Sequence, residues 1–206
     1  GRTQEIIFRL GERYQKGVVK KQGVDLDSPM AIAVTEVYHR YQNFDNDEDA
    51  TASQRGHNSS LHAFLPILRY TPSTEESMAL NAIESGAIII AGSGMCNGGR
   101  IRHHFKHNIW RSNCHIVMVG FQARGTPGRA LIDGAQYIRL WGETVKVQAT
   151  VHTVGGLSAH ADQADLLRWF TRIENHPRLI LVHGESDAIN ALSEKIQLAS
   201  NRTEIT

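Results

Sequence analysis

Thr144 to Glu185 reads TVKVQATVHTVGGLSAHADQADLLRWFTRIENHPRLILVHGE, and the order of elements within it decides the fold. Residues 145–151 alternate apolar and polar as a strand does, and the chain then turns through Gly155 and Gly156. Ser158, Ala159 and His160 lead into an amphipathic helix. The short apolar run Leu179-Ile180-Leu181-Val182 has the character of a buried parallel strand and stops at His183-Gly184-Glu185. This is a strand-helix-strand unit with a histidine just past the carboxyl end of each strand. In open α/β sheets ligands bind in the crevice beyond those ends. A lone histidine there is usually a hydrogen-bonded structural residue. Two in one unit, one followed by Ala-Asp and the other by Gly-Glu, keep a reaction centre and a structural pair both open.

Upstream the same alternation continues. Ile6, Ile7, Leu10 and Tyr14 form the apolar stripe of a first helix ending near Gly17, and the strand candidates are Val18-Val19 and Val24 to Leu26. Asp27-Ser28-Pro29 starts a helix, with Ser28 as N-cap and Pro29 in its first turn. Residues 43–60 read as a surface excursion, and Phe64 to Tyr70 as an edge strand, since Pro66 cannot donate a ladder hydrogen bond. Ser73-Thr74-Glu75-Glu76 is a capping box, and Ala87 to Ala91 a buried strand. The next strand is Cys114 to Val119, followed by Ile138 to Trp141; Ser186 caps a last helix and Glu204 to Thr206 begins one more strand. The fold class is therefore α/β, a mostly parallel, Rossmann-like sheet with flanking helices.

Gly92-Ser93-Gly94-Met95-Cys96-Asn97-Gly98-Gly99-Arg100 joins a strand to a helix. Such a loop can present amides and a helix N-terminus to an anion, but the spacing misses G-x-G-x-x-G by one residue and there is no Walker lysine. A phosphate site and a tight turn both fit. His103 and His107 share a helix face without a third ligand in sequence reach.

The 206 residues suffice for one large domain or one domain and part of another; 41% are hydrophobic and 21% charged, as in water-soluble globular chains. No apolar run reaches the ~20 residues of a membrane span, and no signal peptide is recognisable, so a cytoplasmic setting is expected. Cys96 and Cys114 are too few for a disulfide framework or a cysteine zinc site. A net charge of +1 requires any nucleic-acid face to gather its cations locally. The chain opens on Gly1, already in helical rhythm, and is expected to be a fragment of something longer.

The strings GGLSAHADQ and LILVHGE, in this order with a helix between, resemble the end of the β-CASP group of metallo-β-lactamase-fold nucleases. That group includes RNase J and the endonuclease of pre-mRNA 3′-end cleavage. The similarity runs from Arg2 to about Ile196, and the Ser-Gly-Met loop, the Asp-Ser-Pro turn and the Gly-aromatic-x-x-x-Gly-Thr turn at Gly120 to Thr126 also resemble the family. The resemblance implies that His183 is a zinc ligand and that His160 acts as general acid to the leaving oxygen. It also implies that Ser158, Ser93, Gly94, Arg100 and Arg102 hold substrate phosphates, while Asp162 and Glu185 orient the histidines from behind.

One departure is large. The family's metal cluster rests chiefly on an H-x-H-x-D-H motif, and this sequence contains none. Residues 1–146 are accordingly read as the β-CASP domain, and 147–206 as the returning C-terminal part of the metallo-β-lactamase domain. The parent is expected to be a ribonuclease with two zinc ions, acting on RNA in processing or decay, away from membranes, with a homodimer one assembly open to it. The fragment alone is expected to bind zinc poorly and cut nothing. The rival is a non-catalytic nucleotide- or RNA-binding α/β module with structural histidines; a third reading is an assembly surface.

Overall fold

A computed structural model describes residues 1–19, 23–41, 64–157, 160–174, 177–200 and 205. The chain forms two compact units, Gly1–Ser158 and Ala159–Thr206. The expected excursion at 43–60 lies outside the described residues, as does Ser158.

The first unit opens with α1 (Arg2–Gln15), which buries Ile7. It ends in a left-handed turn at Gly17 (φ 70°), with Val18 N–H donating to the Arg13 carbonyl at 2.9 Å. This is the Schellman pattern that glycine favours. It absorbs Val18-Val19, which are turn and not strand. Next come β1 (Gly23–Asp27), α2 (Pro29–Tyr41), β2 (Leu68–Tyr70), α3 (Thr74–Ala79) with a 3₁₀ turn at Leu80–Ala82, and β3 (Ala87–Ala91). The strands pair in parallel in the order β2-β1-β3. That leaves β2 on the edge. α2 starts as its sequence dictates, with Ala31 N–H donating to Ser28 Oγ at 3.4 Å, and Ser73 with Glu76 closes both halves of the α3 capping box. One core joins Ile7, Val24, Leu26, Ile32, Leu65 and Leu68.

α4 (Gly99–Asn108), β4 (His115–Met118), α5 (Pro127–Ile132), β5 (Tyr137–Leu140), β6 (Glu143–Lys146) and β7 (Thr150–Thr153) complete the unit. β4 and β7 are parallel neighbours, whereas β5 and β6 form an antiparallel ribbon. Their core holds Phe105, Ile109, Met118, Leu131, Ile138 and Leu140.

The single strand expected over 145–151 is instead two. Val147 N–H donates to the Gln136 carbonyl at 2.8 Å, and both Gln148 and Ala149 donate to the Ile109 carbonyl at 2.9 Å. These three residues carry the chain from the ribbon to β4, and alternation cannot reveal such a switch of partners.

The second unit holds α6 (Gln163–Phe170) and α7 (Ser186–Ala199), which pack on each other. The expected buried strand at 179–182 is present only as a parallel bridge from Leu179 to Ile205, with Ile180 62% and Val182 75% exposed. Apolar composition marks a segment able to be buried; burial needs flanking partners, and among the described residues Ile205 is the one that pairs here. The N-cap of α7 is Glu185 and not Ser186, which is already helical.

Candidate active site

At the carboxyl edge of the three-stranded sheet, β1 delivers Asp27, β2 runs into Thr71, and β3 runs into the glycine-rich loop. Gly92 passes so close to the β1–α2 turn that a Cβ there would stand 2.8 Å from Ser28 Oγ. Ser93 (φ 72°), Cys96 (φ 62°) and Gly99 (φ 67°) all adopt left-handed backbone. Two of the three are not glycine, so surrounding bonds must hold them there. Ser93 accepts at its carbonyl from Cys96 N–H (2.9 Å) and at Oγ from Gly98 N–H (3.2 Å). Gln122 Nε2 donates to the Gly94 carbonyl at 2.6 Å. Ser93, Gly94 and Asn97 remain exposed, whereas Cys96 is buried and its thiol is pushed up to about 11 by burial. A thiol so placed is neutral at pH 7 and no nucleophile.

A charged hub lies beneath the loop. The Asp27 carboxylate is fully buried and accepts from Thr71 Oγ1 (2.7 Å), Ser77 Oγ (2.7 Å), Arg100 (2.6 Å) and His104 Nε2 (2.6 Å). Burial pushes its pKa up, but the donors Ser77, Thr71, His104 and Arg100 outweigh burial and hold it below the usual carboxylate value. The carboxylate is thus ionised, which assigns the proton on His104 Nε2 to the shared hydrogen bond. Arg100 also donates to the Thr71 and Pro72 carbonyls, at 2.5 and 2.9 Å. Arg100 was expected to contact phosphate; its guanidinium is engaged inward, tying the first turn of α4 to β1. The sequence offers Asp27 as part of a capping turn and His104 as one of three clustered histidines, and neither reading anticipates the hub. The available signal was an acid closing a strand that is buried from Val24 onward, since a carboxylate in that position must find partners.

Arg102 lies half-buried beside the loop, donating to the Asn97 carbonyl at 3.4 Å, with its guanidinium 4.4 Å from the Trp141 ring centroid. Trp141 (φ 49°) and Gly142 (φ 87°) form the tip of the β5–β6 ribbon. The His103 ring packs tilted against the same indole, with centroids 4.6 Å apart. Ser93, Gly94, Arg100 and Arg102 are thus brought together.

A Cβ on Gly128 would collide with Gln122 Oε1, the far end of the amide that holds Gly94. Gly128→Ala is expected to displace Gln122 and lower stability by about 1–3 kcal/mol. Thermal melting checks this, and an unchanged midpoint would show that Gln122 moves without cost.

In the second unit, the lead-in turns of two packed helices carry the predicted histidines. Asp162 is the N-cap of α6 and closes a reciprocal capping box with Asp165, and His160 lies exposed two residues before it. His183 is exposed in left-handed backbone (φ 64°), two residues before the α7 N-cap Glu185. Left-handed backbone is uncommon at a non-glycine residue, and histidine is one of the few side chains enriched in it. Among the described residues no group of three or more His, Cys, Asp or Glu converges as a metal site would need. His183 is one donor where zinc wants three or four, so the described residues by themselves do not fit a resident zinc.

A family model for the Beta-Casp domain matches residues 3–131, and one described as a Zn-dependent metallo-hydrolase RNA specificity domain matches 144–205. Ribonuclease TTHA0252 of Thermus thermophilus is 36% identical over 197 residues, covering 96% of this chain and 44% of that protein. Transcription termination factor FttA of Thermococcus kodakarensis is 34% identical over 206 residues, 95% of this chain and 31% of its own length. FttA of Methanosarcina mazei is 31% identical over 205 residues, with the same coverage. The chain spans less than half the length of these relatives. With both family models matched along the chain and the two histidine motifs in order, the chain belongs to the β-CASP family of the metallo-β-lactamase fold.

Proposed function

We propose that the full-length protein is a zinc-dependent ribonuclease that hydrolyses RNA phosphodiester bonds, endonucleolytically or from the 5′ end, in the cytoplasm. Residues 1–146 are its β-CASP domain and 147–206 the returning part of its metallo-β-lactamase domain. The observation that carries this reading is the presence of His160 and His183 on the lead-in turns of two packed helices, in a chain similar to a ribonuclease along 96% of its length.

In this reading His160 is the general acid to the departing alkoxide, and Ser158, Ser93, Gly94 and Arg102 hold phosphate oxygens. The first turn of α4, whose N-cap Gly98 supplies no side-chain cap, adds backbone donors behind the loop. Arg100 acts one step back, holding the loop through Asp27. Asp162 and Glu185 fix the turns that carry the histidines. His183 would supply one of the three or four ligands a zinc needs, so this chain alone would bind zinc poorly and would not cut.

The test is cleavage of labelled single-stranded RNA by the full-length protein, abolished by a chelator and restored by zinc, beside the same assay on residues 1–206. RNA binding without zinc-dependent cleavage by the full-length protein would favour a non-catalytic binding module. Stoichiometric tight zinc and His183-dependent cleavage in the 206-residue chain would overturn the inactivity proposed for it.

A further inference from the structure

The β5–β6 ribbon buries one face and presents the other. Ile138 and Leu140 point into the core, so Tyr137 and Arg139 point outward, and Tyr137 is 56% exposed. Register places Lys146 directly opposite Tyr137, and Thr144 opposite Arg139. On this face, therefore, one aromatic ring has a lysine beside it across the ribbon and an arginine two residues along. The nearby acids are already engaged, Asp133 with Arg129 at 2.9 Å and Glu143 with Lys106 at 2.9 Å. Among the described residues, the side chains of Arg139 and Lys146 have no hydrogen bond or ion pair. An open groove of about 450 Å³ runs between the ribbon and the start of α5, lined by Thr126, Arg129, Tyr137 and Arg139. The ribbon tip is tied to the glycine-rich loop, because Arg102 touches both Trp141 and the Asn97 carbonyl.

An exposed ring between unpaired cations suits a single nucleic-acid strand: a base stacks on the ring and the cations take the flanking phosphates. A protein partner would need an apolar centre, and this face offers one ring with charge on both sides. We propose that the outward face of the β5–β6 ribbon, Tyr137 with Arg139 and Lys146, is a single-stranded RNA contact. This rests on RNA being the substrate, as in the function proposed above.

The experiment measures binding of a short phosphorothioate RNA to the full-length zinc-loaded protein by fluorescence anisotropy, across a salt series. Tyr137→Thr, which keeps strand propensity, is expected to weaken binding about ten-fold, and Tyr137→Phe to leave it unchanged. Arg139→Gln with Lys146→Gln is expected to flatten the slope of log K against log salt by about 1.4, two single-strand phosphate contacts. Failure of the unsubstituted protein to bind RNA would sink the functional reading itself. RNA binding whose affinity and salt slope ignore all these substitutions, with melting unchanged, would overturn the ribbon proposal alone. So would a change of oligomeric state on Tyr137→Thr with RNA affinity intact, since the face would then be a protein contact.

Discussion

Asp27→Ala is expected to destabilise the first unit by about 3–5 kcal/mol, as removing one partner of a buried charge network does. The loss is large because it leaves Arg100 without its counterion and strips His104 Nε2 and the Thr71 and Ser77 hydroxyls of an acceptor. Asp27→Asn keeps the shape but turns an amide donor toward donors, so a loss of about 1.5–3 kcal/mol is expected. The pH dependence has a definite sign. The folded-state pKa of Asp27 is depressed, so the carboxylate's contribution is fully present above its unfolded value of about 4. It disappears as pH falls through the lower folded value. Denaturant melts should therefore show a wide gap between the unsubstituted protein and Asp27→Ala at pH 7 that narrows below pH 4. A gap under about 1 kcal/mol at pH 7, or one as wide at pH 3, would mean that the network contributes packing and not charge.

The second large effect is expected in the full-length protein at the two histidines. His160→Ala should reduce RNA cleavage by about 10²–10⁴-fold, the usual worth of a general acid, while zinc content and RNA affinity stay near those of the unsubstituted protein. His183→Ala should reduce cleavage and bound zinc together, since it removes a ligand and not a proton donor. Metal analysis beside single-turnover cleavage separates the two roles. If both variants cleave as the unsubstituted protein does, the histidines are structural and the chain serves a binding module. If His160→Ala loses zinc and His183→Ala does not, the assignments are exchanged.

Much of the architecture was legible because its signals are local. Ser28-Pro29 and Ser73-Thr74-Glu75-Glu76 specify helix starts through bonds that span three residues, and those bonds are present in the folded chain. Ala87 to Ala91 declares a strand by composition, and the motifs around His160 and His183 are strings of four or five residues. The Asp27 hub is of another kind. Its four donors lie 44, 50, 73 and 77 positions away, one just after β2, one on α3 and two on α4, and no window of sequence relates them to it. Asp27 therefore reads as a capping turn locally and becomes a buried anion only when β1, β2, α3 and α4 meet. Arg100 was equally undecidable: a first-turn arginine after a glycine loop suits a phosphate as well as a carboxylate, and only the packing of α4 beside β3 brings it to the Asp27 carboxylate. The division of residues 145–151 followed from an exchange of strand partners that alternation does not record. By itself the sequence determined most of the strand-helix order, the helix starts at Ser28 and Ser73, and the family, all consequences of short-range chemistry. Tertiary structure alone decided which charges are buried, which cations stay unpaired and where apolar runs find partners, because those depend on contacts between segments far apart along the chain.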